Sequence, residues 1–470
     1  MEDKNPDQAW LFDADAGQTE DAAVSQSIAI PAHERHKRGR NRLSAHLPRV
    51  DVIHDLPDEA KVCSADGTEL VRIGEEISEQ LDFKPAQVRV IRNIRPKYAC
   101  PCCRREVHIA AVPLQLLPKS LATPALLAQI TTAKFVDGLP LYRQETQFER
   151  LGVPLGRATM ARWMIQLGCK YVVPLINLLH DLLLEAPLIH CDETHLQVLR
   201  SDKVPTADHW IWVRAAGPPG RRIILFDYDA SRGGAVPLRL LQGYRGILLT
   251  DGYEAYAKVA AVLGLVHAGC LAHARRRFEE ARKAGKRGSD GHARVALGFI
   301  RELYRIERSL WDREHSCTAQ QRLSVRAEHS VLIVNDFHDW LEAIAPKVLP
   351  KSLLGKAVRY TLGQWPKLTT FLKHGEAPLD NNRCENAIRP FVVGRKGWLF
   401  SDTVKGAIAS ANLFSLVETA KANGLEPHAY LSHVFERLPH AKGVEDFEAL
   451  LPWNADVPVT CLAFAGPAET

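Results

Sequence analysis

A chain of 470 residues, 46% of them hydrophobic, is long enough for about three domains and too apolar to stay unfolded as a whole. Its 60 Lys and Arg against 55 Asp and Glu leave a net charge of +5, too mild a balance to name a partner. No run of about twenty apolar residues exists, so no membrane span is expected. Residues 172–188 come closest, but Pro174, His180, Asp181, Glu185 and Pro187 interrupt them. The start lacks the apolar segment of a signal peptide. The ten cysteines are scattered singly beyond residue 103, unlike a disulfide framework, and a reducing cytoplasm is the expected compartment.

Residues 1–49 read as a disordered tail followed by a basic arm, with Arg35, Lys37, Arg38, Arg40, Arg42 and Arg49 against Glu34. Residues 50–112 read as a small short-stranded module. Val88 to Ile94 alternates as a strand does, and Cys63 before it with Cys100, Cys102 and Cys103 after it point to a metal staple. Residues 113–186 turn helical, with apolar spacing of three to four over 121–135, 141–151 and 159–184. The turn at 152–156 followed by Arg157, Thr159 and Arg162 fits a helix-turn-helix able to enter a DNA groove, or an ordinary helical hairpin.

From 187 to 424 the pattern is α/β. Strands are expected at 188–191, 209–215, 222–228, 246–250 and 265–268, with helices at 233–241 and 253–263. Three antiparallel strands, then helix, strand, helix, strand, is the ribonuclease-H-like order. It sets the ends of the first and fourth strands side by side. A charged helical insertion occupies about 285–374, too long for a plain connection. It follows a second basic run with Arg275, Arg276, Arg277, Arg282 and Lys283. A helix opens near Glu385 and is expected to stop at Pro390; another runs over 407–423. Residues 425–470 form a small helical tail.

Three acids sit in polar breaks: Asp192 after the first strand, Asp251 after the fourth, and Glu385 at a helix start beyond the insertion. The expected topology brings the two aspartates together although 59 residues separate them. Three converging carboxylates suit paired magnesium ions, which take oxygen ligands and bridge phosphates. For any single one of them, a solvated loop acid or helix cap is the simpler account.

These residues carry a resemblance. Cys-Asp-Glu-Thr around Asp192, Thr-Asp-Gly-Tyr around Asp251 and Ala-Gly-Cys-Leu-Ala-His-Ala-Arg-Arg-Arg-Phe at 268–278 resemble the DDE transposases of the insertion-sequence-66 family. So do Asp-Asn-Asn-Arg-Cys-Glu-Asn-Ala-Ile-Arg-Pro at 380–390, Gly-Arg-Lys-Gly-Trp-Leu-Phe at 394–400 and Thr-Ala-Lys-Ala-Asn-Gly-Leu-Glu-Pro at 419–427. The likeness runs from about 33 to 455. It implies that Asp192, Asp251 and Glu385 are the catalytic triad, holding Mg2+ or Mn2+. The implied reaction frees a 3′-hydroxyl at the element's end and joins it to target DNA. Arg389, Arg395 and Lys396, with Arg157 and Arg162, are expected to contact that DNA.

The resemblance also implies a zinc module with Cys63, Asp66, Cys100 and Cys103 as ligands, or Cys102 as a substitute, since Asp66 stands where the family has cysteine. Either zinc is held more weakly there or the module folds without it. It further implies a multimer on DNA, joined by small accessory proteins, in a cytoplasmic, nucleoid-associated location. Cys270, His273 and His267 resemble a metal cluster, but Cys270-x-x-His273 alone supplies two ligands, too few for a closed zinc site; Cys270 reads as core or, as the resemblance implies, as support for the carboxylates. Cys191 reads as core packing. Among Trp210, Trp212, Trp365 and Trp398, the last is the best placed to stack on a base. A non-catalytic DNA-binding regulator and a stand-alone nuclease are the rival readings.

Overall fold

The computed structural model describes residues 51, 88–99, 107–285, 291–311 and 317–457. The chain divides into two compact units, residues 1–90 and 91–470, and every element below belongs to the second. The zinc-module residues Cys63, Asp66, Cys100, Cys102 and Cys103, and the tail and arm 1–49, lie outside the described residues.

A short antiparallel hairpin, β1 (Lys97–Ala99) and β2 (Val107–Ile109), comes first. The strand expected at Val88 to Ile94 is not there. Val88, Val90, Ile91 and Ile94 are exposed, and alternation without a sheet to bury against does not make a strand.

Four helices follow: α1 (Pro124–Phe135), α2 (Leu141–Arg150), α3 (Arg157–Gln166) and α4 (Val173–Leu184). Thr123 caps α1 by accepting the Leu126 amide, and Pro124 sits in its first turn, where a missing N–H costs nothing. The single helix expected over 159–184 is two, bent by 49° at a turn of wide π geometry, Leu167–Tyr171. Gly168 lies there against the backbone of Ala409, where a Cβ would come within 2.5 Å of it. Leu175, Leu179 and Leu183 of α4 are wholly buried. Among the described residues no single helix is long and apolar enough to cross a membrane.

The sheet is built from β3 (Leu188–Arg200), β4 (Asp208–Ala216), β5 (Ile223–Asp229), β6 (Ile247–Thr250) and β7 (Val266–Gly269), in the order β5-β4-β3-β6-β7. The first three form an antiparallel meander; β6 and β7 add in parallel. Helices α5 (Ala235–Leu240) and α6 (Glu254–Leu263) make the two crossovers. Side chains alternate across a strand, so the middle of the sheet feeds two cores. Ile189, Cys191 and Leu248 enter one with residues of α1, α3 and α4. Leu188, Ile247 and Leu249 enter the other. Strands covered on both faces read as unbroken apolar runs, which is why Gly-Ile-Leu-Leu was legible.

The second core is the helical insertion: α7 (Leu271–Ala284), α8 (Gly291–Leu310), α9 (Ala319–Val325), α10 (Val331–Ile344) and α11 (Leu353–Leu368). Its centre holds Arg326, fully buried. The guanidinium donates to both Glu307 oxygens at 2.7 and 2.6 Å and to the carbonyls of Phe371, His374 and Ala377. The segment leading to residue 380 is thereby tied to α8.

Next come α12 (Asn382–Trp398), β8 (Phe400–Thr403), α13 (Val404–Ala422), α14 (Pro427–Arg437) and α15 (Val444–Glu448). Helix α12 does not stop at Pro390 but runs eight residues beyond it. Proline in a helix interior costs about 3 kcal/mol. Burial of Ala387, Ile388, Phe391 and Gly394 against the sheet offsets that, and the freed carbonyl belongs to exposed Asn386. Strand β8 pairs in parallel with the outer half of β3. Helix α13 seals the free edge of β5. Ser415, Thr419 and Asn423 bond Phe226, Ile224 and Arg222, each meeting both the N–H and the carbonyl. Four helical residues advance about 6 Å and two strand residues about 6.6 Å, so the steps match.

Candidate active site

Three elements meet where β3 loses its parallel neighbour. Pairing with β6 ends at His190↔Leu249, and pairing with β8 begins at Gln197. Asp192 lies in this gap, mid-strand rather than at a strand end, because β3 continues along β4 to Gln197 and runs on to Arg200. Asp251 follows β6 directly and accepts the Tyr253 amide at 2.8 Å. Glu385 stands in the first turn of α12. Asp192 is mostly buried, and its carboxyl is pushed up to about 8. Burial is the first cause and Glu193 the second, with the charges of Asp251 and Glu385 adding to it. Carboxylates crowded this way suit an oxygen-seeking divalent cation.

Sequence reading missed the brace that brings these elements together. Asn381, wholly buried, caps α12 in place but turns its side chain elsewhere. Its Nδ2 donates to the Cys191 carbonyl at 2.8 Å, and its Oδ1 lies 2.9 Å from His190 Nδ1. An amide oxygen only accepts, so His190 donates from Nδ1. Burial holds that imidazole neutral, down to about 3. The Asn381 amide donates to Cys270 Sγ at 3.2 Å. Asp380 accepts the Asn382 amide and the Tyr304 hydroxyl, so it serves the cap and ties it to α8. The only sequence signal was Asp-Asn-Asn itself. Glu193 was also missed: its side chain is buried, accepting the Tyr256 hydroxyl at 2.6 Å and Arg232 at 2.8 Å.

Around Glu385, Arg276 Nη2 lies 3.2 Å from Oε2. His273 Nδ1 is 3.6 Å and Cys270 Sγ 3.9 Å from Oε1. Arg277 stacks on Tyr360 at 4.2 Å, and the Tyr360 ring lies where a Cβ on Gly252 would meet it at 2.9 Å. The residue after Asp251 is thus held to glycine by a close approach.

Of the expected DNA contacts, Arg157 and Arg162 are exposed on α3, which buries Met160, Trp163 and Met164. Arg157 donates its amide to Glu145 at 2.9 Å. Arg389 and Lys396 are exposed on α12. Arg395 is half-buried and donates to the His195 carbonyl, joining α12 to β3. Trp398 does not face outward: it packs on the first core, with the Lys134 ammonium 3.9 Å from its ring. Trp212 is buried, Trp365 packs against Phe337, and Trp210 stacks under Arg232. Cys191 is core, as its burial shows.

The fold is mixed α/β and mostly helical, with an acidic site at the centre of its sheet. The pattern described as "Transposase IS66 family" matches residues 119–409, and the "IS66 C-terminal element" matches 415–453. The "zinc-finger binding domain of transposase IS66" matches 60–104, and "Transposase C of IS166 homeodomain" matches 1–52. The chain belongs to the IS66 transposase family. It is also 34% identical over 424 residues to uncharacterized protein y4jD of Sinorhizobium fredii, covering 88% of this chain and 81% of that one. It is 35% identical over 437 residues to uncharacterized protein y4qI of the same organism, covering 90% and 78%.

Proposed function

We propose that the chain is a DNA transposase with a ribonuclease-H-like core that cuts at the ends of its element and joins the freed 3′-hydroxyls to target DNA. What supports this reading is that Asp192 lies on β3, Asp251 directly after β6 and Glu385 in the first turn of α12, with the charges of the latter two adding to the upward push on the Asp192 carboxyl. The strand order with its parallel fourth and fifth members supports the same core.

Asp192, Asp251 and Glu385 would hold Mg2+ or Mn2+, which supply a Lewis acid for the phosphoryl oxygens and lower the pKa of bound water. The chain's own residues orient the substrate. Short aspartates on sheet strands hold their positions through the backbone, and Asn381 fixes the start of the Glu385 helix against β3. Arg389 and Lys396 beyond Glu385 hold backbone phosphates, with Arg395 setting the distance between α12 and β3. Arg157 and Arg162 on α3 read the element end. Joining requires both ends in one complex, so the working form is a multimer on DNA, aided by accessory proteins and resident at the nucleoid. The module at 60–104 adds a zinc-dependent DNA contact.

The test is Mg2+-dependent cleavage of DNA carrying the element's end. Asp192→Asn is expected to bind that DNA as the parent does and to leave it uncut. Cleavage at the parental rate by this variant would sink the assignment. Cut ends that are never joined to a target would mark a nuclease instead.

A further inference from the structure

We propose that Cys270, His273 and Glu385 form a thiolate–imidazole–carboxylate site for a zinc-class divalent ion, which shares Glu385 with the carboxylate pocket and differs from it in its sulfur and nitrogen donors. Sequence spacing offered only two ligands; the fold supplies the third by bringing the first turn of α12 to the first turn of α7. Among the described residues this is the set of three such side chains whose ligand atoms all lie within 4.8 Å of one another. Ligand bonds of about 2.0–2.3 Å in a tetrahedron put ligand atoms roughly 3.3–3.8 Å apart. Glu385 Oε1 is 3.6 Å from His273 Nδ1 and 3.9 Å from Cys270 Sγ, within a small adjustment of that.

A second observation points to a ligand independently. His273 Nδ1 is buried and has no hydrogen-bond partner, a state that is costly to keep. Its nearest acceptor in the cluster, at 3.6 Å, is beyond hydrogen-bond reach. A cation between the three side chains gives that nitrogen its partner.

The surroundings are arranged for such an ion. Cys270 is the N-cap of the fourteen-residue α7, where the helix dipole favours negative sulfur, but burial pushes the thiol up to about 12, so a bound ion must displace its proton. The Asn381 amide donates to Sγ at 3.2 Å. Arg276 takes Glu385 Oε2, which leaves Oε1 turned to the sulfur and the imidazole, as an outer partner orients a ligating carboxylate. Sulfur and nitrogen select zinc over magnesium. Three protein ligands leave a fourth position for water or a phosphate oxygen. The ion site stands without the proposed reaction. Only its use, steadying Glu385 and the phosphate beside Asp192 and Asp251, rests on that reading.

The experiment titrates the chelator-stripped full-length protein with Co2+ in saturating Mg2+, following bound cobalt and the thiolate-to-cobalt charge-transfer band. Cys270→Ala and His273→Ala are each expected to bind about one cobalt equivalent fewer than the parent, and Cys270→Ala to lose part of the band. Glu385→Gln is expected to weaken the same equivalent. A Cys63→Ser/Cys103→Ser variant, which removes two of the three thiolates expected in the zinc module, is expected to keep it. Parental stoichiometry and band in both Cys270→Ala and His273→Ala would overturn the site. If Cys270→Ala does not fold, His273→Ala decides, since its side chain is 24% exposed. A retained cobalt equivalent in a protein that never cuts element ends would leave the site standing and remove the proposed reaction.

Discussion

Truncating Asn381 to alanine tests the brace beneath the acidic site. The side chain is wholly buried and makes two bonds, to the Cys191 carbonyl at 2.8 Å and from His190 Nδ1–H at 2.9 Å. Alanine makes neither. Leaving a buried polar group unsatisfied costs about 1–3 kcal/mol, so two of them predict a loss of roughly 2–6 kcal/mol. Asn381→Asp should also destabilise: it keeps the acceptor for His190 but brings an uncompensated charge towards Asp192 and Glu385. Urea unfolding followed by fluorescence and by circular dichroism reads the loss as a shift in midpoint. The positioning role has a separate readout. The Mg2+ concentration giving half-maximal cleavage should rise in Asn381→Ala while DNA affinity holds. A stability change below about 0.5 kcal/mol, the range of ordinary surface substitutions, would refute the brace.

Two further outcomes follow from buried charge. Arg326→Met strands Glu307 in the insertion core and should cost about 3–5 kcal/mol. The double variant with Glu307→Leu should recover part of it, because the carbonyls of Phe371, His374 and Ala377 stay without their donor, and equal instability of both in a thermal unfolding series would refute the pairing. Lys134, under the Trp398 ring, is pushed down by burial to about 8 from 10.5. Between those values the unfolded chain binds more protons than the folded one, so stability should rise with pH across that window. Below pH 8 the penalty is fully present, at most about 3 kcal/mol and partly offset by the ring contact. Lys134→Met should therefore be more stable at pH 7 and lose the rise; an unchanged pH profile would show that the ammonium is solvated.

The sheet was legible because its strands are apolar runs bounded by turn residues, and each observed strand from β3 to β7 overlaps the expected one. What escaped was set by tertiary contact. Strand β8, Phe-Ser-Asp-Thr, has no apolar pattern and forms because β3 outruns β6 and offers an edge. The break between α3 and α4 falls just before Pro174, which cannot continue the preceding helix, with Gly168 packed against the distant Ala409 beside it. Pro390 misled because a local rule about proline takes no account of what the helix buries. In the candidate site, acids are visible one at a time, whereas the bonds from Asn381 to residues nearly two hundred positions earlier are not. Cys270 and His273 looked incomplete because their third neighbour comes from beyond the insertion.

The insertion between β7 and α12 also has a temporal meaning. A ribosome adds roughly 5–20 residues per second, so the 134 residues from Asp251 to Glu385 take about 7–27 s to make. On the proposed assignment, the nascent polypeptide carries two of its three acids through that interval without the means to break a phosphodiester. Premature termination anywhere within the insertion yields a harmless fragment, and competence arrives only when nearly the whole molecule has been translated.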